Sequence, residues 1–508
     1  MAKTKALLTL DNPTSLMIPK VKTGIKGFEE ISYGGLPRGR TTLISGSSGS
    51  GKTIFSCQFL AAGILQFDEP GVFITFEESV EDLKNNVKSF GWDIDKFEKN
   101  NKWLFVDASV SFNNETKVMG DYDLKALLIR IESAISKVKA KRVVLDSIGS
   151  LFHYFQDPSI IRRELFKVLS TLKRKKLVIL ITSERLEEYG VVSRFGVEEY
   201  IADNVLILRN VLENEKRRRT IEILKYRGSL HSMGEQSFVI DPQKGIEIIP
   251  LTRLQLTQNS SEKRVSSGNP PLDKMCGGGF FKDSIILVSG ATGTGKTLMV
   301  TEFIKGGFEN GEKVLFVAYE ESREQLIRNA KGWGVDFPKM EKAGKLLIKA
   351  VYPESASLEE HLLRIQLMVE EWKPTRFALD SLTAIERGSS KKNFREFLIA
   401  LTSFLKKKEV LAIFTSTSSN IVGGTSVTDS HISTITDSII LLRYAELYGN
   451  IHRVITVLKM RGSLHTKNIF EFDIDANGMH IGHKQFDRMS GILGGLPFVS
   501  DRNEEEKE

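Results

Sequence analysis

Two short stretches of this chain carry residue types that make chemical sense only together. They read Gly46-Ser-Ser-Gly49-Ser50-Gly51-Lys52-Thr53 and Gly290-Ala-Thr292-Gly293-Thr294-Gly295-Lys296-Thr297. Four free positions between a glycine and a Gly-Lys-Thr triplet let the backbone curl until successive N–H groups face a phosphate. The ammonium group of Lys52 or Lys296 then reaches the outer phosphate oxygens, and the hydroxyl of Thr53 or Thr297 can ligate Mg2+. The ligands this chemistry calls for are ATP and Mg2+. A chance glycine turn does not account for two copies in matched contexts.

Carboxylates recur beside both loops. Asp146 and Asp380 each end an apolar run and are followed by serine. An aspartate at such a strand end can hold Mg2+ directly or through water, although strand ends are also commonly capped by aspartate. The repetition favours the metal role for both. Glu77-Glu78 and Glu320-Glu321 follow the next apolar run, where one acid can act as general base and its neighbour can support it. A solvated pair at a helix start is the plainer reading. Further on, Lys225-x-Arg227-Gly-Ser-Leu-His231 recurs as Lys459-x-Arg461-Gly-Ser-Leu-His465. Two cations two residues apart share one strand face, which suits a clamp offered to a neighbouring subunit's phosphates. A salt-bridged edge strand is the alternative.

Positioning these groups requires buried strands, and the sequence supplies them. Thr41–Ser45, Val72–Phe76, Arg142–Leu145 and Leu177–Ile181 are nearly continuous apolar runs, as expected of strands covered on both faces. Between them Leu124–Ile135 keeps a helical period. The expected fold is therefore α/β: two tandem P-loop domains of mostly parallel sheet flanked by helices, each ending in an antiparallel hairpin such as Asn204–Arg209 with Arg219–Leu224. Four motifs repeated in one order mean a duplication. The expected boundaries are 1–250 for the first domain, 251–264 for a linker, 265–490 for the second domain and 491–508 for a short acidic tail.

The 508 residues need at least two cores, and 41% apolar with 27% charged residues excludes a disordered chain. A net charge of +7 is too dilute for a dedicated nucleic-acid binder. Cys57 and Cys276 exclude a disulfide scaffold and a cysteine zinc site. The apolar stretch near the N-terminus is too short for a secretory signal, and no run approaches a membrane span. A cytoplasmic protein with no membrane partner is expected.

These motifs resemble the RecA-like superfamily and, more closely, the KaiC family of double-domain ATPases and autokinases. The likeness covers about residues 15–490 and includes Val427-Thr-Asp-Ser-His-Ile-Ser433-Thr434-Ile-Thr-Asp437. The resemblance implies a homohexamer of stacked rings with nucleotide at each subunit interface. It implies Thr53, Asp146, Thr297, Glu320 and Asp380 at the metal and Glu77 and Glu320 as general bases. Lys225, Arg227, Lys459 and Arg461 would be the contacts across subunits. It adds Ser89, His231, Asp241, Trp333, Arg453 and Lys467 to the nucleotide contacts, although Trp333 could equally be core. Ser433 and Thr434 would be autophosphorylated by the second domain, which would also remove the phosphate, and the first ring would bind KaiB. The duplication itself adds that Glu199 and Tyr200 occupy the matching positions of the first domain, which therefore lacks the acceptors.

Two other readings compete. Lys216-Arg-Arg-Arg219 could serve a ring helicase or recombinase on single-stranded DNA, but no aromatic residues interleave it, and beside Glu213 and Glu215 it reads as a solvated or intersubunit loop. A scaffold that uses ATP only to assemble would form hexamers and release no phosphate. Circadian members of the family end in a longer amphipathic helix captured by the activator KaiA. Here Gly491, Gly494, Gly495 and Pro497 oppose a helix, and the last five residues offer no apolar face. Autophosphorylation without KaiA is expected. Saturable KaiA binding that is lost on deleting residues 491–508, with stimulated phosphorylation, would overturn this.

Overall fold

The computed structural model describes residues 18–108, 124–153, 158–194, 196, 198–213, 216–249, 261–418, 432–447 and 450–485. The acidic tail, residues 251–260 of the expected linker and residues 427–431 of the acceptor segment lie outside them. The chain divides into two compact units, Met1–Arg253 and Leu254–Glu508.

In the first unit nine strands form one sheet. They are β1 (Thr41–Gly46), β2 (Gly71–Thr75), β3 (Trp103–Asp107), β4 (Arg142–Asp146), β5 (Val178–Glu184), β6 (Asn204–Glu213), β7 (Lys216–Tyr226), β8 (Glu235–Asp241) and β9 (Gly245–Ile249). Their order is β9-β8-β7-β6-β1-β5-β4-β2-β3. β1 lies parallel between β5 and β6, and β4 lies parallel between β2 and β5, whereas β6 to β9 run antiparallel. The α/β expectation holds, including the antiparallel extension. The hairpin is longer than its apolar residues suggested, because the charged run Lys216–Arg219 belongs to β7 rather than to a loop.

Alternation along each strand feeds two cores. Phe73 and Val144 face a cluster built on α1 (Lys52–Phe67) with Phe55 and Phe59. Val72, Ile74, Val143 and Leu145 face a second cluster, which the helices Leu124–Val138 and Pro158–Arg174 supply with Ile131 and Leu169. Covered on both faces, β4 can carry an aspartate only at its end. This layering places β1, β4 and β5 with their C-terminal ends together, which is where open parallel sheets bind ligands.

The second unit repeats the plan. Its strands are β10 (Ile285–Gly290), β11 (Val314–Ala318), β12 (Leu346–Ala350), β13 (Arg376–Asp380), β14 (Leu411–Thr417), β15 (Ser438–Leu447), β16 (Asn450–Met460), β17 (Phe470–Asp475) and β18 (Gly478–Gln485), in the order β12-β11-β13-β14-β10-β15-β16-β17-β18.

At the foot of β4 and of β13 stands a fully buried arginine, Arg142 and Arg376. Arg142 donates to the carbonyls of Phe59 (2.7 Å) and Lys22 (2.7 Å) and to Glu69 (2.8 Å), and stacks 4.5 Å over the Phe59 ring. Arg376 donates to the Phe303 carbonyl (3.0 Å) and to Glu312. Each thus ties a P-loop helix to the strand that bears the site aspartate. Arg142→Met would strand buried carbonyls and a partly buried carboxylate, at about 3 kcal/mol or more. Hydrogen exchange of first-domain peptides should accelerate while second-domain peptides keep their protection; unchanged exchange would show that the clamp contributes nothing.

Candidate phosphate-binding sites

Each site begins where a buried strand turns into a helix. After β1 the loop passes through Gly51 at φ +97°, and after β10 through Gly295 at φ +101°. Only glycine takes that conformation without strain, and it turns the first N–H groups of α1 and of α3 (Lys296–Glu309) outward. The Lys52 ammonium folds back onto the carbonyls of Gly46 (2.9 Å) and Ser47 (3.0 Å). Lys296 does the same with Gly290 and Ala291, both at 2.9 Å. Burial lowers both lysine pKa values, which nearby carboxylates partly offset.

Thr53 Oγ1 donates to Asp146 Oδ2 at 2.8 Å, and Thr297 Oγ1 to Asp380 Oδ2 at 2.7 Å. The other carboxylate oxygen accepts from Thr182 in the first site and from Thr415 in the second. Burial pushes the Asp146 carboxyl up, which the threonine bonds counter. A hydroxyl and a carboxylate oxygen side by side fit Mg2+, which takes few protein ligands and shares phosphate oxygens and water. Among the described residues no group of three or more His, Cys, Asp or Glu is placed to hold a metal without a nucleotide.

The first cleft, about 310 Å³, is lined by Gly49, Gly51, Lys52, Thr53, Glu77, Glu78 and Asp146 among the expected residues. Ser50 is buried beneath it and donates to the Ser47 carbonyl at 2.8 Å. Glu77 accepts from Ser147 Oγ at 3.4 Å, and Glu78 from Asn86 at 3.2 Å. Glu321 accepts from Asn329 at 3.0 Å, while Glu320 lies close enough to Lys296 to act on its charge. Glu77, Glu78 and Glu321 all sit above the usual carboxylate range, because burial against the site walls penalises their charge and neighbouring acids add to it.

Ser89, His231 and Asp241 of the first unit are not among the residues lining that cleft. Ser89 belongs to a short 3-10 helix, Lys88–Phe90, and Asp241 ends β8, where it accepts from two backbone N–H groups of the following turn. His231 contacts the Ser232 carbonyl at 2.9 Å. Trp333 packs half-buried against the core of the second unit. Arg453 stacks 5.9 Å over Tyr444, whose hydroxyl reaches the P-loop carbonyl of Thr292 at 3.4 Å; Lys467 is exposed.

The lysine and arginine of each Lys-x-Arg pair do not share a strand. β7 ends at Tyr226 and β16 at Met460, so Arg227 and Arg461 stand in the turn and do not share a strand face with the lysines. The pair converges for another reason. Lys459 donates to the carbonyls of Ser433 (2.6 Å) and Thr436 (2.7 Å), and Arg461 to that of Thr434 (2.7 Å). Both cations therefore hold the short helix α4 (Ile432–Ile435) that carries the hydroxyl pair. Lys225 holds the matching helix α2 (Glu198–Ile201) through Glu199 and Ala202.

Sequence reasoning missed Arg219, Ile240 and Glu184, which line the first cleft, and the buried threonines beside each aspartate. Arg219 donates to the Gly49 carbonyl at 3.4 Å. The duplication aligns it with Arg453 and could have found it. Glu184 pairs with Gly46 across β5 and β1, where the second domain pairs Thr417 with Gly290. The remaining basic residues of the run are engaged as well: Arg217 donates to the Asn210 carbonyl and Arg218 to Ser237.

A strand–P-loop–helix unit with an aspartate bonded to the P-loop threonine, present twice on mostly parallel sheets, defines a tandem RecA-like P-loop ATPase. The family model for the KaiC ATPase matches residues 21–253 and again 265–485, and the chain belongs to the KaiC family. It is 58% identical over 490 residues to the circadian clock protein KaiC3 of Synechocystis sp., covering 96% of this chain and 97% of that one. It is 51% identical to the circadian clock oscillator protein KaiC of Synechococcus elongatus, covering 97% and 95%, and 51% identical to that of Thermosynechococcus vestitus, covering 95% and 93%. No helix among the described residues is long and apolar enough to cross a membrane.

Arg219→Ala should weaken nucleotide binding to the first domain about tenfold, the scale of one charged hydrogen bond. Titration with a fluorescent ATP analogue in a Lys296→Ala background reads this, and unaltered affinity would remove Arg219 from the site.

Proposed function

We propose that both domains hydrolyse Mg·ATP and that the second also transfers the γ-phosphoryl group to Ser433 and Thr434, within a homohexamer of timing function. The observation that carries this reading is an asymmetry inside a repeated frame. P-loop, threonine–aspartate bond, paired glutamates and cation-held helix recur in both domains, but only α4 bears the aliphatic hydroxyls of Ser433 and Thr434, where α2 has Glu199 and Tyr200. In the transfer, the hydroxyl oxygen of Ser433 or Thr434 bonds to the γ-phosphorus while its bond to the β–γ bridging oxygen breaks. ADP leaves, and Glu320 takes the hydroxyl proton, with Glu321 beside it. Thr297 and Asp380 would hold Mg2+ in the second site, and Thr53 and Asp146 in the first.

The names of the relatives support a clock or timer role, and family membership supports KaiB as a partner of the first ring. A stress-signalling role would use the same phosphoryl switch. Lys225, Arg227, Lys459 and Arg461 would complete a neighbour's site when the ring closes, so that ATP bridges subunits. The arginines stand about half open to water at 56% and 53% side-chain exposure, as that role needs. The nucleic-acid reading gains nothing, since Arg217, Arg218 and Arg219 are committed within their own domain.

The test is incubation with Mg·ATP, followed by phosphosite mass spectrometry and an ADP-release time course. Changing both Ser433 and Thr434 to Ala should end phosphate incorporation while ADP release continues from the first domain. Lys296→Ala and Glu320→Gln should each abolish incorporation, with Lys296→Ala sparing assembly, and Lys52→Ala should cost most of the hexamer. Full incorporation in the double-Ala protein, or in Lys296→Ala, would overturn the assignment.

A further inference from the structure

The two P-loops share a backbone hub. In the first, the Ser47 carbonyl accepts from Ser50 N (3.3 Å), Ser50 Oγ (2.8 Å) and Lys52 Nζ (3.0 Å). In the second, the Ala291 carbonyl accepts from Thr294 N (3.4 Å), Thr294 Oγ1 (2.8 Å) and Lys296 Nζ (2.9 Å). The hub residue therefore fixes both the curl of the loop and the resting place of the lysine. Only the first hub has a side chain that can be gripped. Ser47 Oγ donates to Glu188 Oε1 at 2.5 Å, and Glu188 Oε2 accepts from the Asn210 N–H of β6 at 2.9 Å.

Glu188 belongs to a segment that is itself sewn onto the end of β1. Arg185 N donates to the Gly46 carbonyl at 3.1 Å, and Ser45 Oγ donates to the Val192 carbonyl. The Arg185 side chain donates to the carbonyls of Gly190 and Val191, both at 3.1 Å, which folds the segment on itself. The second domain cannot build this contact. Alanine stands at the hub, and no acidic residue occurs between Thr417 and Asp429.

We propose that Glu188 is a positioning residue for nucleotide in the first domain, latching segment 185–194 to the P-loop through Ser47 and giving that site a slower nucleotide release. This rests on the reading of the first domain as an ATP site. A carboxylate that holds the hub by one oxygen and the neighbouring strand by the other keeps the loop in its phosphate-ready curl. Less ordering is then needed when ATP enters, and opening of the loop must break a charge-assisted bond. Because the hub is held through a side chain, the effect can be removed without touching any backbone donor to the phosphates.

Release of 2′/3′-O-(N-methylanthraniloyl)-ATP with Mg2+ from the full chain carrying Lys296→Ala tests the latch. Ser47→Ala, which installs the residue the second P-loop already accommodates, should speed release on the order of tenfold, as should Glu188→Ala. The double variant should release no faster than either single one, since both remove one interaction. Glu188→Gln, which loses the charge but keeps one oxygen acceptor and an amide able to bond Ser47 Oγ, should release at a rate between the parent's and that of Glu188→Ala, and turnover at saturating ATP should stay within about twofold. Parent-like release from Ser47→Ala, or additive effects in the double variant, would overturn the latch. A parent that binds no probe would remove the ATP reading of the first domain and the latch with it.

Discussion

The hydrogen bond from the first-turn threonine of each P-loop helix to the aspartate at the end of a buried strand joins the two halves of each site. It couples Thr53 to Asp146 and Thr297 to Asp380. One partner sits on a helix that starts at the loop, the other on a strand two positions away in the sheet. Everything else serves this meeting. β5 and β14 lie between and supply Thr182 and Thr415, which occupy the second oxygen and leave the first directed at the loop. At the opposite end of the same strands, Arg142 and Arg376 fix the helix on its far side. The aspartate strand is thus pinned at both ends against one helix, and the site inherits the rigidity of the core.

On that shared frame the two domains differ through side chains at a few aligned places. Glu184 corresponds to Thr417, Ser47 to Ala291, Asn210 to Tyr444, and the Glu199-Tyr200 pair to Ser433-Thr434. The first site gathers acid: Glu77, Glu78, Asp146 and Glu184 line one cleft. The second has hydroxyls at Thr417 and on α4. A frame with fixed backbone donors thus lets two copies of one fold present different side chains around the same phosphate-binding loop.

Much of this was legible in the residues. Parallel strands buried on both faces must be apolar throughout, so β1, β2, β4 and β5 announce themselves, and a duplicated chain aligns its own motifs. The P-loop and its aspartate partner follow from spacing and strand ends. What was not legible depends on contacts that have no period. The charged start of β7 hid a strand behind a run that resembles a surface loop. The four-residue helices α2 and α4 are too short for a hydrophobic pattern, and the cations that hold them bind carbonyls, which every residue has. Arg219 was within reach, since Arg453 had been singled out at the aligned place.

The buried guanidinium also decides what its neighbours can be. A Cβ on Gly63 would lie 2.6 Å from Arg142 Nε, and one on Gly307 would lie 2.8 Å from Arg376 Cδ. Any side chain there would displace an arginine that has no room to move, while a shorter residue at the arginine's place would leave the glycine beside an empty channel. Positions 63 and 142, and likewise 307 and 376, are therefore sterically coupled. A larger side chain at either glycine requires the arginine to shift, although the two stand far apart in the chain.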